Sequence, residues 1–362
     1  MTAMEQARLT VSPYLVFPLV HSMQFGSEYL DMSIKPIQFA GNDTWISVLI
    51  CGLFFHIIIW MIYGILNGNK TDLLQIHQRF FGKFVGRGLN MIFIVYFLLH
   101  ASLLIRLFIE IVQVWLFPEL ATWLLALVLL LLVYYIVSGG FRVIVGICFL
   151  SLLRHLLILA MLFTAGYFHF NNLSPVMDHS LNELLLATKE LTFPYVGVEM
   201  LFFVYTFIKT PEKSHKWAQL ANLITTLSYL VVVLFSLLLF KFEQLSNQLW
   251  PQLTKYKFVK FPFIERFEFV GASAQIFWVI PIICLCLWAS SRAVKVMFSV
   301  KQRTVLPICL VVVFAAVSMI AGRNQVEALQ ALLAQIGFYM IFAYIPFMYL
   351  VDMVRVKVKG TI

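Results

Sequence analysis

The chain has 362 residues, of which 62% are hydrophobic and only 12% charged, and its mean hydropathy is +0.91. Soluble domains run closer to about half apolar and about a quarter charged, so a water-soluble fold of this size is excluded and lipid is the solvent. The net charge of +9 does not point to nucleic acid, because the basic residues sit in short segments between apolar stretches and build no extended basic face.

A bilayer-crossing helix needs about 20 mostly apolar residues. That pattern recurs at 10–30, 43–66, 88–115, 120–137, 141–166, 186–208, 217–243, 267–298, 304–322 and 328–354. About ten spans are therefore expected in one integral membrane domain, an all-α polytopic protein. No small-residue cleavage site follows the first apolar run, so span one is expected to stay in the mature protein. Ten spans put both termini on one side. Sixteen Lys and Arg fall on that side and eight on the other, with Arg106 and Arg154 inside spans. The positive-inside rule makes the shared side cytoplasmic. Four of the eight opposing charges lie in the loop 244–266, which is expected to be an exposed excursion.

Spans one and six differ from the rest. The first carries Pro13, Pro18 and Gly26, with Ser22, Gln24, Ser27 and Glu28 in its second half. The sixth reads Leu191-Thr192-Phe193-Pro194-Tyr195-Val196-Gly197-Val198-Glu199. Proline removes a backbone donor and glycine loosens a helix, and in lipid such a break survives only against protein or a wet cavity. These spans open two five-span halves, about 10–166 and 186–354. Interruptions at matching positions point to a midplane site in an inverted repeat; two unrelated proline kinks are the plainer alternative.

Several side chains are candidates at such a site. Gly26 and Gly197 would allow close backbone approach, Val196 and Ile282 would form apolar walls, and Tyr96 and Glu199 would make polar contacts. Glu199, just past the break, can bond unwound amides, meet an ammonium group, or brace the helix. Tyr96 can donate to a ligand or simply fill space. Arg106 and Glu110 stand four apart on one face of span three, as an internal ion pair or as part of a ligand path. Arg154 in span five either pairs with a carboxylate such as Glu199 or supplies a fixed positive charge where a related transporter would bind sodium. Span eight has no Ser or Thr between Trp278 and Ala289 to ligate that ion. The five cysteines lie in apolar stretches as buried thiols; Cys284 and Cys286, two apart, face nearly opposite ways. Gly82-Lys83-Phe84-Val85-Gly86 and Ser138-Gly139-Gly140 read as loop punctuation. No phosphate loop, metal spacing or nucleophile motif is present, so no enzyme, cofactor or metal is expected.

Four strings carry a resemblance: Ala40-Gly41-Asn42-Asp43-Thr44-Trp45-Ile46-Ser47 at the opening of span two, Asn171-Asn172-Leu173-Ser174-Pro175-Val176 in an outer loop, Gly197-Val198-Glu199 in span six, and Glu265-Arg266-Phe267-Glu268 before span eight. Together they resemble the spore germination permease family, the B subunits of endospore nutrient-germinant receptors. The Arg106/Glu110 pair and Tyr96 also fall where family members carry such residues. The resemblance implies an amino acid–polyamine–organocation (LeuT-like) 5+5 fold with discontinuous spans one and six. It also implies residence in the spore inner membrane, A-type and C-type subunits as partners, and a small nutrient such as an amino acid as ligand. Two departures stand out. The family's Gly-x-Gly in span one is Gly26-Ser27-Glu28 here, and Ile282 through Cys286 is wholly apolar apart from thiols. A secondary amino-acid transporter, or a non-sensing structural subunit, are the competing readings.

Overall fold

The computed structural model describes residues 10–262 and 264–360, with side chains through Arg355. Arg8 and the side chains of Lys357 and Lys359, part of the basic count above, lie outside the described residues. Among the described residues the chain is helical, with isolated bridges at Val11–Ile208 and Phe261–Ile264 and no sheet.

Among the described residues seven helical segments are long and apolar enough to cross a bilayer: Ile34–Asn69, Leu73–Trp115, Phe141–Tyr167, Pro211–Leu239, Phe267–Phe298, Gln302–Met319 and Arg323–Arg355. The other three expected spans are short or interrupted. Span four is Thr122–Ser138. Span one is Val16–Gln24, then Phe25 and Gly26, then one 3-10 turn at Ser27–Leu30. Span six is Leu181–Tyr195, then Val196 and Gly197, then Val198–Phe207. Val11 N–H donates to Phe207 O at 2.8 Å and Lys209 N–H to Val11 O at 2.9 Å. The start of span one thus lies beside the end of span six, and the two broken spans run antiparallel, as inverted halves require.

One face gathers the two ends of the described residues. Arg142, at the head of span five, donates to Thr10 O; Arg355 donates to Arg79 O. Large apolar side chains turn outward around the bundle: Phe84 is 92% exposed and Tyr135 78%, which is tolerable only where the surroundings are themselves apolar. Gly82, at φ 79°, turns the chain between two helices within Leu73–Trp115. The two pack against each other: Asn90 Nδ2 donates back to Leu74 O at 3.2 Å, and a Cβ at Gly86 would fall 2.7 Å from Gln78 N. The interruption is thus one residue, and helix already covers Lys83 to Gly86.

The loop 244–266 is not the exposed excursion its charges suggest. Trp250, Leu253, Lys255 and Tyr256 are buried, within or flanking the short helix Pro251–Lys255, which follows another at Phe242–Ser246. Lys255 Nζ donates to Val232 O at 2.8 Å and Ser236 Oγ at 3.0 Å in span seven. Burial pushes this ammonium well below the usual lysine range, since desolvation disfavours the charged form. Lys257 lies over the Trp115 ring, Lys260 over Tyr167 and Arg266 over Phe269. Carbonyls and ring faces absorb the charge.

Two of the sequence strings form one clasp. The Asp43 carboxylate accepts from the backbone N–H of Met177, Asp178 and His179 at 2.7, 2.8 and 3.2 Å, and from His179 Nδ1 at 3.0 Å. Asn42 Nδ2 donates to Ser174 O at 2.9 Å. The clasp ties the head of span two to the lead-in of span six, where Ser180 and Glu183 form a capping box. Hydrogen bonds to a charged acceptor are each worth about 1.5–3 kcal/mol. Asp43→Ala is therefore expected to destabilise the protein by about 3 kcal/mol or more, read from denaturant unfolding in mixed micelles; a change under about 1 kcal/mol would show the clasp to be incidental.

Candidate functional site

Gly197 sits at φ 132°, and a Cβ there would lie 2.7 Å from the Met23 carbonyl carbon. The break in span six therefore rests directly on the residues preceding the break in span one. A proline near the helix end and the turn at Val196 leave carbonyls without helical donors. Tyr229 of span seven reaches between them: its hydroxyl, with one hydrogen to give, lies 2.5 Å from Gln24 O and 2.9 Å from Pro194 O. Gln24 Nε2 donates to Asn222 Oδ1 at 3.0 Å and Tyr195 O at 3.3 Å, and Asn222 Nδ2 donates to Gly52 O at 2.9 Å. Spans one, two, six and seven are joined through these few groups.

Two carboxylates face the breaks. Glu199 Oε2 accepts from Gly197 N–H at 2.7 Å, and its Oε1 from Tyr96 OH at 3.4 Å. Glu199 thus bonds an unwound amide, one of its expected roles. Glu28 folds back over Gly26, where a Cβ would meet Glu28 Oε2 at 2.2 Å and Ile282 Cδ1 at 2.9 Å. Its other oxygen is 3.1 Å from His100 Nε2. Gly26, Tyr96, Gly197, Glu199 and Ile282 are thereby brought to one layer. Val196 differs: its methyl groups lie on Gly337 of span ten, so the two expected apolar walls meet different partners.

Above this layer is a vestibule of about 360 Å³ that reaches Glu28 and Asp31; below, toward the face holding the chain ends, is a cavity of about 770 Å³ beside Phe207, Trp288 and Arg292. Arg292 closes the lower cavity's wall, 2.7 Å from Asp72 and stacked on Phe207. Asp31, just beyond span one, accepts from Gln330 Nε2 at 3.1 Å, and burial pushes its carboxyl up to about 6.

The three interior charges take partners other than those expected. Arg106 Nε donates to Ile320 O at 3.1 Å, while Glu110 pairs with Arg323 at 3.4 Å. They do not pair with each other; each ties span three to the junction of spans nine and ten. Among the described residues Arg154 has no carboxylate partner, which removes the Arg154–Glu199 pairing. Its Nη2 donates to His21 O at 3.1 Å, Nε and Nη1 have no hydrogen-bond partner, and its guanidinium lies 5.1 Å from the Phe25 ring centroid. It braces span one beside the break by a carbonyl and a ring face. All five cysteines are buried and unpaired.

Tyr229, Asn222, Gln24 and His100 escaped the reading of the sequence as site residues. A signal existed: Asn222, Thr225, Thr226 and Tyr229 are spaced as one helix face, a polar stripe in an apolar span, which in lipid seldom lacks a task. His100 follows Tyr96 by one turn on the same face.

Interrupted first and sixth spans, in two antiparallel halves that meet at a buried polar layer, define a multi-pass membrane protein of the LeuT-like transporter fold. The substrate-bound outward-open state of a Na+-coupled sialic acid symporter matches with a TM-score of 0.66 over 93% of this chain and 80% of that one, at 12% identity, a likeness of fold alone. The spore germination protein family model matches residues 10–326, and the chain belongs to that family. It is 37% identical to spore germination protein GerQB of Bacillus cereus, over 96% of this chain and 97% of that protein. It is 25% identical to spore germination protein YndE of Bacillus subtilis (strain 168), over 87% and 88%.

Removing the phenol hydroxyl that sits between both breaks should take away the one donor that two buried carbonyls share. Tyr229→Phe is expected to lower stability by about 1–3 kcal/mol in micelle unfolding, whereas Tyr135→Phe, on the lipid face, should change it by less than about 0.5 kcal/mol. Equal effects would deny Tyr229 its part.

Proposed function

We propose that this chain is the permease-like B-type subunit of a spore germinant receptor, resident in the spore inner membrane, with its ends on the core side. It binds a small nutrient, an amino acid or a similar compound, where its broken spans meet, and transmits the change to A-type and C-type subunits. The observation that carries this reading is the closed layer of Glu28, Tyr96, His100 and Glu199 between an outer vestibule and an inner cavity. Such a layer has two alternative openings, and a ligand that prefers one shifts the balance. The names of relatives support the receptor setting: besides GerQB, they include spore germination proteins A2 and B2 of Bacillus subtilis (strain 168). The proposed orientation is supported by Arg79, Arg142 and Arg355 lying toward the face of residues 10 and 355, the side that the positive-inside rule favours for the cytoplasm.

Deletion of the coding sequence should abolish germination to at least one nutrient of a panel. Glu199→Gln, at unchanged protein level, should raise the concentration needed by about tenfold. Normal responses of the deletion strain to every nutrient would remove the sensing role. A secondary transporter working by alternating access is the second reading, favoured by the same closed layer between two cavities. Uptake of labelled nutrient into liposomes holding this chain alone would establish it, and binding without flux the receptor. In either case Arg154→Gln should weaken binding and render it sodium-dependent; binding intact at every sodium concentration would discard the fixed-cation role.

A further inference from the structure

Both breaks are covered by carboxylates that belong to the protein. Glu199 Oε2 holds Gly197 N–H at 2.7 Å, and Glu28 Oε2 stands 2.2 Å from where a Cβ of residue 26 would lie. Unwound helix ends present amides suited to a ligand's acid group. Here those positions are already taken by the protein's own carboxyl groups, and a ligand carboxylate brought to them would have to compete with Glu199 for the Gly197 amide and would face further acceptor oxygens in a water-poor layer.

The approach to the layer is acidic as well. Glu28, Asp31, Glu190 and Glu327 line the vestibule against Lys35 and Arg323, in a chain whose net charge is +9. Arg323 is committed to Glu327 at 2.8 Å and Glu110 at 3.4 Å. A narrow recess shares Glu28, Asp31 and Gln330 with the vestibule and adds Ser27. Ser27 and His100 are each 3% exposed, yet Ser27 Oγ and His100 Nδ1 have no hydrogen-bond partner. Buried polar atoms left this way are uncommon and call for an explanation. Here they stand beside carboxylates that can only accept when ionised.

We propose that this site recognises its ligand through hydrogen-bond donors, ammonium or hydroxyl, received by Glu28 and Glu199, and that it disfavours ligands bearing a carboxylate. The proposal rests on the nutrient-binding reading above and narrows its ligand class. It separates the site from one built to hold an amino acid by its acid group, and assigns the glutamate of Gly26-Ser27-Glu28 the task of receiving the donor.

The test uses the full chain in lipid nanodiscs, titrated calorimetrically with L-alanine against L-alaninol, L-valine against L-valinol, and with ribitol as a hydroxyl-only probe. An amino alcohol or ribitol should bind, each amino alcohol at least about tenfold more tightly than its amino acid. Glu28→Gln should weaken that binding by about tenfold; if this variant is not recovered monodisperse, Glu199→Gln, the other receiving carboxyl, serves the same arm. Ribitol binding separates hydroxyl from ammonium recognition. An amino acid that binds more tightly than its amino alcohol overturns the proposal while leaving the nutrient-binding reading standing, as does a bound amino alcohol or ribitol indifferent to the substitution. Heat from none of the compounds overturns both.

Discussion

A helix broken inside lipid must find partners for the backbone groups it frees, because no water is there to take them. This chain breaks two helices and lays the breaks against each other, with Gly197 seated on Met23. One phenol, Tyr229, then reaches a carbonyl from each, while Glu199 takes the Gly197 amide. Much else follows from that solution. Span seven must run beside both breaks to present Tyr229, and span two must supply Gly52 O to orient Asn222, which in turn holds Gln24. The small residue at 52 is forced by the same closeness, since a Cβ there would fall 2.3 Å from Thr226 Oγ1.

Charge inside the bundle obeys the same economy of partners. Arg154, Lys255 and Arg106 each donate to a main-chain carbonyl, so cations in the apolar interior lean on backbone dipoles and ring faces. Carboxylates are treated differently. Asp43, Glu199 and Glu110 each accept from an amide or guanidinium, whereas Glu28 has an imidazole at one oxygen and a glycine beneath the other. Of these four acids, Glu28 is the one for which neither an amide nor a guanidinium donor is found among the described residues, and it lies where the vestibule ends.

The bilayer class and the ten-span order were legible because they depend on composition and run length, which lipid imposes almost without regard to tertiary detail. The breaks were legible for a similar reason: proline and glycine change the backbone wherever they stand. Partner choice was not. Arg106 and Glu110 are one turn apart and invite pairing, yet both reach the junction of spans nine and ten, a neighbour that no local spacing reveals. Loop 244–266 reads as polar because of its lysines, yet it is buried because a lysine stem can lie on apolar surface while its head meets a carbonyl or ring. Glu28 was visible as an intrusion in span one; that it would curl over Gly26 depended on the absence of a side chain there and on His100 arriving from span three.

On the proposed ligand-binding reading, the division of attachments at the first break gives occupancy a route to movement. Below the break, span one is bound to spans five and seven: Ser22 to Ser151 at 2.8 Å, His21 to His155 at 3.1 Å and to Thr225 at 2.7 Å. Above it, the short turn Ser27–Leu30 is bound to spans three and eight, through Glu28 to His100 and through Tyr29, which accepts from Gln275 at 3.0 Å and stacks on Trp278. Phe25 and Gly26 are therefore the joint between two differently anchored pieces. A ligand that draws Glu28 from Gly26 acts on the upper set alone, because the lower set shares no hydrogen bond with that carboxylate. The torsional freedom of a residue without a Cβ lets the pieces turn relative to each other without drawing the Tyr229 hydroxyl away from the two carbonyls.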